Sequence, residues 1–200
     1  MRKGLFAAVI GAAVIAGAAA AWWMNADQKI ELAAGTALTP RRAIADFSLT
    51  DHRGDAFTQA SLRGRWSLLF TGFTHCPDLC PATLTLLAEL DRRLPAGSVQ
   101  LLFLSVDPER DTPELIAAYV AHFGPRLIGV TGARAEIDGL TAALGLAQVR
   151  NPGVGGDYTV DHSTALVLID PRARIAGYFT PPHDIGALAA DLASIHRRSP

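Results

Sequence analysis

The chain has 200 residues, of which 50% are hydrophobic, and its formal net charge at pH 7 is -1. This length suffices for one ordinary hydrophobic core beside a membrane segment, but not for two full domains. Charged residues are evenly scattered, so there is no basic stripe to follow a phosphate backbone, and no nucleic-acid partner is expected. The only two cysteines lie four residues apart. This excludes a disulfide scaffold and indicates redox or metal chemistry.

Residues 1–24 are predicted to form a single-span membrane anchor. Arg2 and Lys3 precede an unbroken apolar run over residues 5–24, close to the ~20 residues that a helix needs to cross the hydrocarbon core. Positive charge before the run predicts a cytoplasmic N-terminus and an exported domain, hence a bacterial inner-membrane protein facing the periplasm. The alternative is a cleaved signal peptide, because residues 18–21 are all alanine. Two tryptophans that close the run favour the uncleaved anchor.

A tether is predicted to connect the anchor to one folded domain. Residues 25–42 mix polar and small residues without helical or strand periodicity, as expected of a tether. The domain is predicted over residues 43–200. It opens with alternating apolar residues around Phe47 and Leu49, a turn-rich stretch and renewed alternation at residues 56–58. This pattern predicts an N-terminal β-hairpin.

Strands and helices are predicted to alternate over the rest of the domain. The predicted strands cover residues 66–73, 99–106, 127–130, 164–169 and 174–179, and the predicted helices cover residues 81–94, 111–124, 135–144 and 185–195. Residues 151–156, Asn-Pro-Gly-Val-Gly-Gly, are predicted to form a loop. This order predicts an α/β sandwich in which helices flank a central sheet.

Cys76 and Cys80 directly follow a predicted buried strand and lie where the next helix begins. Residues four apart project from the same side of a helical turn, so the sulfurs can face one ion or each other, and spacing alone does not choose. A helix N-terminus favours thiolate, which is both a nucleophile and a soft metal ligand. Two thiolates suit Cu(I), and an added imidazole makes Cu(II) acceptable. Zinc more often has a fourth protein ligand.

His162 is the candidate third ligand. It follows a glycine-rich loop and adjoins Asp161, whose carboxylate, or a nearby carbonyl, can fix the tautomer of the imidazole. Taken alone, one loop histidine is more often a surface residue. His75 adjoins the first cysteine, but a neighbour at a strand-to-loop bend usually points away from it, so a structural or solvent-facing role is predicted. The remaining histidines are predicted to be surface residues: His52, His122, His183 and His196.

Three sequence blocks resemble the signature blocks of the Sco/SenC family. They are residues 74–81 (Thr-His-Cys-Pro-Asp-Leu-Cys-Pro), 105–112 (Ser-Val-Asp-Pro-Glu-Arg-Asp-Thr) and 158–163 (Tyr-Thr-Val-Asp-His-Ser), within a resemblance over roughly residues 43–196. The resemblance implies a thioredoxin-like fold with a central mixed sheet. It also implies that Cys76, Cys80 and His162 hold copper, as Cu(I) or Cu(II).

The resemblance further implies a role in building the copper centre of cytochrome c oxidase. The implied partners are the copper-centre subunit of the oxidase and other periplasmic copper chaperones or thioredoxins. A metallochaperone would pass copper on by ligand exchange and would have no catalytic residues. The alternative is a thiol-disulfide oxidoreductase that reduces the cysteines of the apo-oxidase subunit, with Cys76 and Cys80 as its redox pair.

Two sequence features weigh between the possible functions. Redox thioredoxins commonly carry Cys-x-x-Cys and have no need of a histidine at residue 162, which favours copper binding. A peroxidase of the peroxiredoxin type is disfavoured, because residues 74–81 contain no arginine to stabilise a peroxidatic thiolate.

Overall fold

A computed structural model describes Gly17 and residues 29–153 and 157–197. In these residues the strands are β1 (Thr36–Ala43), β2 (Ser48–Asp51), β3 (Ala56–Thr58), β4 (Trp66–Gly72), β5 (Val99–Ser105), β6 (Leu127–Thr131), β7 (Gln148–Pro152), β8 (Tyr158–His162), β9 (Leu166–Ile169) and β10 (Arg174–Phe179). The α-helices are α1 (Leu79–Arg93), α2 (Pro113–Ala121), α3 (Arg134–Ala143) and α4 (Ile185–Arg197), and a short 3-10 helix covers Gln59–Leu62.

Eight strands form one mixed sheet in the order β1-β10-β9-β4-β5-β6-β2-β3. Strands β4, β5 and β6 are parallel, and the other neighbours in the sheet are antiparallel. Helices α1 and α2 supply the crossover connections that parallel strands require. The predicted α/β fold with a central mixed sheet is confirmed, and β2 and β3 form the predicted hairpin.

The core lies against the central strands of this sheet. Strand β4 is buried at all seven positions and β5 at six of seven, which explains why both are nearly continuous hydrophobic runs. Helix α1 buries Leu84, Leu87 and Leu90, spaced three residues apart on one face, and α1 lies beside α4. Because β4 and β5 are parallel, their carboxyl ends meet at one edge of the sheet, where α/β proteins commonly place their sites.

The predicted tether is wrong in its last part. Residues Thr36–Ala43 form β1, which pairs antiparallel with β10 at the edge of the sheet. Just before it, the backbone N–H groups of Ala33 and Ala34 donate to the buried carboxylate of Asp191 on α4, at 3.0 and 2.9 Å. The strand lacks the expected alternation because it is a largely exposed edge strand that contains a proline.

The predicted loop over residues 151–156 is also partly wrong. Asn151 and Pro152 end β7, which pairs with β8 in a two-stranded antiparallel sheet separate from the main sheet. No residue of β7 is fully buried, so the strand carries little hydrophobic pattern. The glycine-rich residues 154–156 lie outside the described residues.

The predicted membrane anchor, residues 1–24, lies outside the described residues apart from Gly17. The alanines proposed as a cleavage region, residues 18–21, lie outside them as well. In the described part of the chain, no helix has the length and apolar character needed to cross a membrane.

Candidate metal centre

The three predicted ligands come from two separate segments of the fold. Cys76 lies in the loop after β4, and Cys80 is the second residue of α1. His162 is the last residue of β8 in the two-stranded sheet. Helix α1 begins at Leu79, before the predicted start at residue 81. This is possible because the backbone nitrogen of a residue in the first helical turn has no intrahelical partner, so a proline is tolerated there.

The structure brings the three predicted ligands together. One donor atom from each of Cys76, Cys80 and His162 lies within 4.8 Å of the others, and Cys80 Sγ is 3.4 Å from His162 Nε2. The Cys80 N–H donates to Cys76 Sγ at 3.4 Å, so the first turn of α1 keeps both sulfurs on one side. Across residues 29–153 and 157–197, this is the only group of three His, Cys, Asp or Glu side chains close enough to hold a metal ion.

Contacts of the His162 ring leave one nitrogen free for ligation. Nδ1 lies 3.0 Å from the carbonyl oxygen of Ser163, which can only accept, so Nδ1 is assigned the proton. The lone pair of Nε2 then points toward Cys80 Sγ. Burial lowers the pKa of His162 and keeps the ring neutral at pH 7. Of the two partners considered for the ring, the structure therefore shows a carbonyl, and the Asp161 carboxylate instead accepts from the side chain of Asn151 at 2.7 Å.

The end of β4 supports the imidazole. The rings of Phe70 and Phe73 lie 5.8 and 5.9 Å from the His162 ring, with interplanar angles of 72° and 89°. Such edge-to-face contacts are favourable for aromatic rings. The Thr71 hydroxyl donates to the Ser163 carbonyl at 3.1 Å, the same oxygen that orients the imidazole.

The two sulfurs differ in exposure. Cys80 is fully buried and Cys76 is partly exposed. Burial raises the pKa of the Cys80 thiol far above its usual value, so metal binding must displace its proton. Gly72 makes room for this sulfur, because a Cβ there would lie 2.9 Å from Cys80 Sγ and 2.8 Å from the Phe103 ring. This role of Gly72 was not predicted from the sequence.

The acidic loop after β5 holds the start of the cysteine segment. Thr112, not Asp111, caps α2. Asp111 is buried and accepts hydrogen bonds from the N–H of Thr74 at 3.0 Å and from its hydroxyl at 2.6 Å, and a further one from the Ser105 hydroxyl at 2.6 Å.

The other histidines take no part in the ligand group. His75 points outward, with 51% of its side chain exposed, in agreement with the prediction. His122 and His196 are exposed as predicted. His52 and His183 are instead half-buried and contact backbone atoms of β6 and of the segment after β8, so the surface prediction is wrong for both.

Sequence comparison finds relatives over most of the chain. A family model described as SCO1/SenC matches residues 36–197. The mitochondrial SCO2 homolog of Bos taurus is 44% identical over 140 residues, which cover 68% of this chain and 53% of that protein. The chain therefore spans about half the length of this relative.

Solved structures share the fold. The crystal structure of Arabidopsis thaliana ScoI with copper bound matches with a TM-score of 0.73 and 35% identity, covering 78% of this chain and 100% of that one. BsSco, described as a member of the Sco family of cytochrome c oxidase assembly proteins, matches with a TM-score of 0.67 and 21% identity, covering 86% of this chain and 100% of that one. These matches confirm the predicted thioredoxin-like fold.

Proposed function

Because the chain belongs to the SCO1/SenC family, we propose that it is a copper chaperone that binds copper through Cys76, Cys80 and His162 and delivers it to the copper centre of cytochrome c oxidase. The observation that carries this proposal is the convergence of two sulfurs and one imidazole nitrogen within 4.8 Å. The copper bound by ScoI and the family description of BsSco support it.

The donor set suits copper better than zinc. Two thiolates match the soft Cu(I) ion, and the imidazole nitrogen makes the same site acceptable to Cu(II). Closed structural zinc sites usually have four protein ligands, and the described residues offer no fourth His, Cys, Asp or Glu to this group. His162 presents a neutral Nε2, the form that a metal requires.

Exposure indicates where an acceptor would approach. Cys76 is the partly exposed sulfur, and Leu79 between the two cysteines is 60% exposed. An acceptor thiolate or imidazole can therefore replace Cys76 first, while Leu79 offers an apolar contact beside the exchanging ligands. The buried Cys80 is released last and regains its proton, as its raised pKa requires.

The location belongs to the proposal as well. Residues 1–24 would anchor the chain in a bacterial inner membrane, with the copper-binding domain in the periplasm; the apolar run and the preceding positive charges support this. A short tether would end before Ala33, where the chain joins α4. Protease added to spheroplasts should degrade the domain, and protection of the domain would contradict this location.

Copper transfer to the isolated, metal-free copper-centre domain of the oxidase subunit tests the proposed function. The copper-loaded protein should convert the acceptor to its metal-bound absorption spectrum. His162→Ala should deliver less Cu(II), while His122→Ala, which alters an exposed histidine outside the site, should behave as wild type. If free copper salts load the acceptor but the copper-loaded wild-type protein does not, the proposal is contradicted.

Thiol-disulfide exchange is the second candidate, favoured by the proximity of two free thiols. In this reaction Cys76 and Cys80 form a disulfide, and their two electrons and two protons convert an acceptor disulfide into two thiols. Reduced, copper-free protein mixed with the oxidised acceptor should generate acceptor thiols if this function operates. Turnover that persists in His162→Ala would favour reduction over copper delivery, and absence of new thiols would exclude it.

A further inference from the structure

We propose that the loop of residues 107–111, between β5 and α2, is the element that sets the separation between the thiols and the imidazole of the metal centre. One side of this loop holds the cysteine segment through Asp111, and the other holds the histidine hairpin through Asp107 and Arg110. These are positioning residues that act through the ligands and do not bind the metal. Only the effects on copper binding that follow from this inference rest on the proposed function.

The β7–β8 hairpin needs such an anchor. It lies outside the eight-stranded sheet, and an isolated two-stranded hairpin is marginally stable in water. No residue of β7 is fully buried, and Val160 is the only fully buried residue of β8. Apart from the contacts of the His162 ring with Phe70 and Phe73, little core packing therefore fixes the hairpin. Polar and aromatic contacts must supply the rest.

Tyr158, the first residue of β8, makes several of these contacts. Its hydroxyl donates to the fully buried carboxylate of Asp107 at 2.6 Å, and its backbone carbonyl accepts from Arg110 Nη1 at 3.1 Å. The guanidinium of Arg110 lies 3.8 Å from the centre of the Tyr158 ring, and that of Arg150 lies 4.1 Å from it. The ring is thus fixed by two cation–π contacts and one hydrogen bond to a buried charge.

Arg110 also connects this anchor to the strand that precedes the cysteines. Its guanidinium forms an ion pair with Asp107 and lies 5.8 Å from the ring of Phe73, the residue that follows β4. The Phe73 ring in turn meets the His162 ring edge-on. One guanidinium therefore touches both the hairpin and the segment that leads to the thiols.

Asp111 completes the connection on the cysteine side. Its carboxylate binds both the backbone N–H and the hydroxyl of Thr74, two residues before Cys76. Because Asp107 and Asp111 belong to one short loop held at both ends, a shift of the hairpin relative to this loop changes the distance from His162 to the sulfurs. Ligand sets require support of this kind to stay within about 0.5 Å of the binding geometry.

Replacing Tyr158 by phenylalanine tests the hairpin contact while keeping the ring. In the metal-free protein, Tyr158→Phe should speed hydrogen exchange at the β7–β8 amides and leave exchange in β4 and β5 unchanged. Its Cu(II) affinity should fall about tenfold, as for other residues that orient ligands. Its Cu(I) affinity should stay at the wild-type value, because the two thiols suffice for that ion. A general loss of stability would instead affect all amides and both ions.

Tyr178→Phe is the matched control, because its hydroxyl donates at 2.8 Å to Leu144 O, away from the hairpin. It should leave hairpin exchange and both affinities unchanged. Arg110→Lys keeps the charge but loses the planar stacking surface, and it should reproduce the effects of Tyr158→Phe. Wild-type hairpin exchange and Cu(II) affinity in both Tyr158→Phe and Arg110→Lys would overturn the inference. If the wild-type protein binds no copper, the proposed function fails, and exchange in the metal-free variants still decides this inference.

Discussion

The two segments that meet at the metal centre are built differently. The cysteine segment continues β4, buried at every position, into α1, which packs into the core. The histidine ends a hairpin that is separate from the main sheet and carries Val149, a hydrophobic residue with 57% exposure. The core thus holds Cys80, and the first turn of α1 keeps Cys76 beside it, whereas the imidazole packs on Phe70 and Phe73 but belongs to a hairpin with little core packing of its own. The site combines two ligands of one core-packed segment with a third that is held by contacts between segments.

This difference bears on the proposed release of copper to an acceptor. Two thiolates bind a soft ion whether or not the imidazole is in place. The imidazole adds affinity for the harder Cu(II) ion, and a small movement of the hairpin can remove that contribution. Substitutions in the two segments should therefore have different consequences for the two oxidation states.

Cys80→Ser is expected to have the largest effect. It replaces a fully buried sulfur ligand by a hard hydroxyl, so binding of both Cu(I) and Cu(II) should be lost. Competition titration against a chelator measures both affinities. Thr85→Ser, on the exposed side of α1, is the control and should bind as wild type. Wild-type Cu(I) affinity in Cys80→Ser would show that the sulfur is not a ligand.

His162→Ala should separate the two oxidation states. Loss of the imidazole should lower Cu(II) affinity by more than the roughly 10–100-fold typical of residues that merely support ligands. Both thiols should still titrate with a thiol reagent, and Cu(I) should still bind. An unchanged Cu(II) affinity and optical spectrum would remove His162 from the ligand set.

Gly72→Ala should disturb the cysteine segment without removing a ligand. The added Cβ would meet Cys80 Sγ and the Phe103 ring inside normal contact distance, and such overpacking typically costs about 1–3 kcal/mol of stability. Urea unfolding measures the change. Gly139→Ala, in α3 with open space around it, is the control and should be neutral or slightly stabilising. Equal stability of the two variants would contradict the close fit at Gly72.

Acid should slightly weaken the ion pair between Glu109 and Arg150 of the hairpin. A hydrogen bond from Arg134 lowers the pKa of Glu109 to about 2, and Glu109 also pairs with Arg150 on β7 at 2.7 Å. The folded-state pKa lies below the unfolded value of about 4.3, so this contribution is present above that pH and is lost as pH falls toward 2. Because the pair is partly exposed, its contribution to the free energy of unfolding should be less than about 1 kcal/mol.

Urea unfolding at a series of pH values, compared with Glu109→Gln, measures this contribution. The stability difference between wild type and variant should shrink as pH falls from about 4.3 to 2. Glu31→Gln, at an exposed position before β1, is the control for loss of a carboxylate outside the hairpin. A difference that stays constant over this range would contradict the role of the Glu109 charge.

The same contrast explains which parts of the fold could be predicted from the sequence. Strands β4 and β5 and the core face of α1 were predicted because deep burial imposes a strong hydrophobic pattern. Strands β1 and β7 were missed because both are largely exposed, contain proline, and are defined by pairing with distant partners.

The same difference in burial decided which ligands could be predicted from the sequence. The cysteines were predicted from their spacing and position, whereas His162 depended on family resemblance because its hairpin carries little local signal. The anchoring of Tyr158 by Asp107 and Arg110 joins residues about 50 positions apart, so spacing along the chain gives no indication of it. Both partners nevertheless lie in the sequence blocks that carry the resemblance.

X-ray absorption spectroscopy of the copper-loaded domain tests the central claim most directly. The protein should bind one copper ion, with two sulfur neighbours and at least one nitrogen neighbour in the Cu(II) form. Loss of the nitrogen neighbour in His162→Ala, with both sulfurs retained, would identify His162 as the nitrogen ligand. Coordination by nitrogen and oxygen alone, or retention of zinc in preference to copper, would contradict the account.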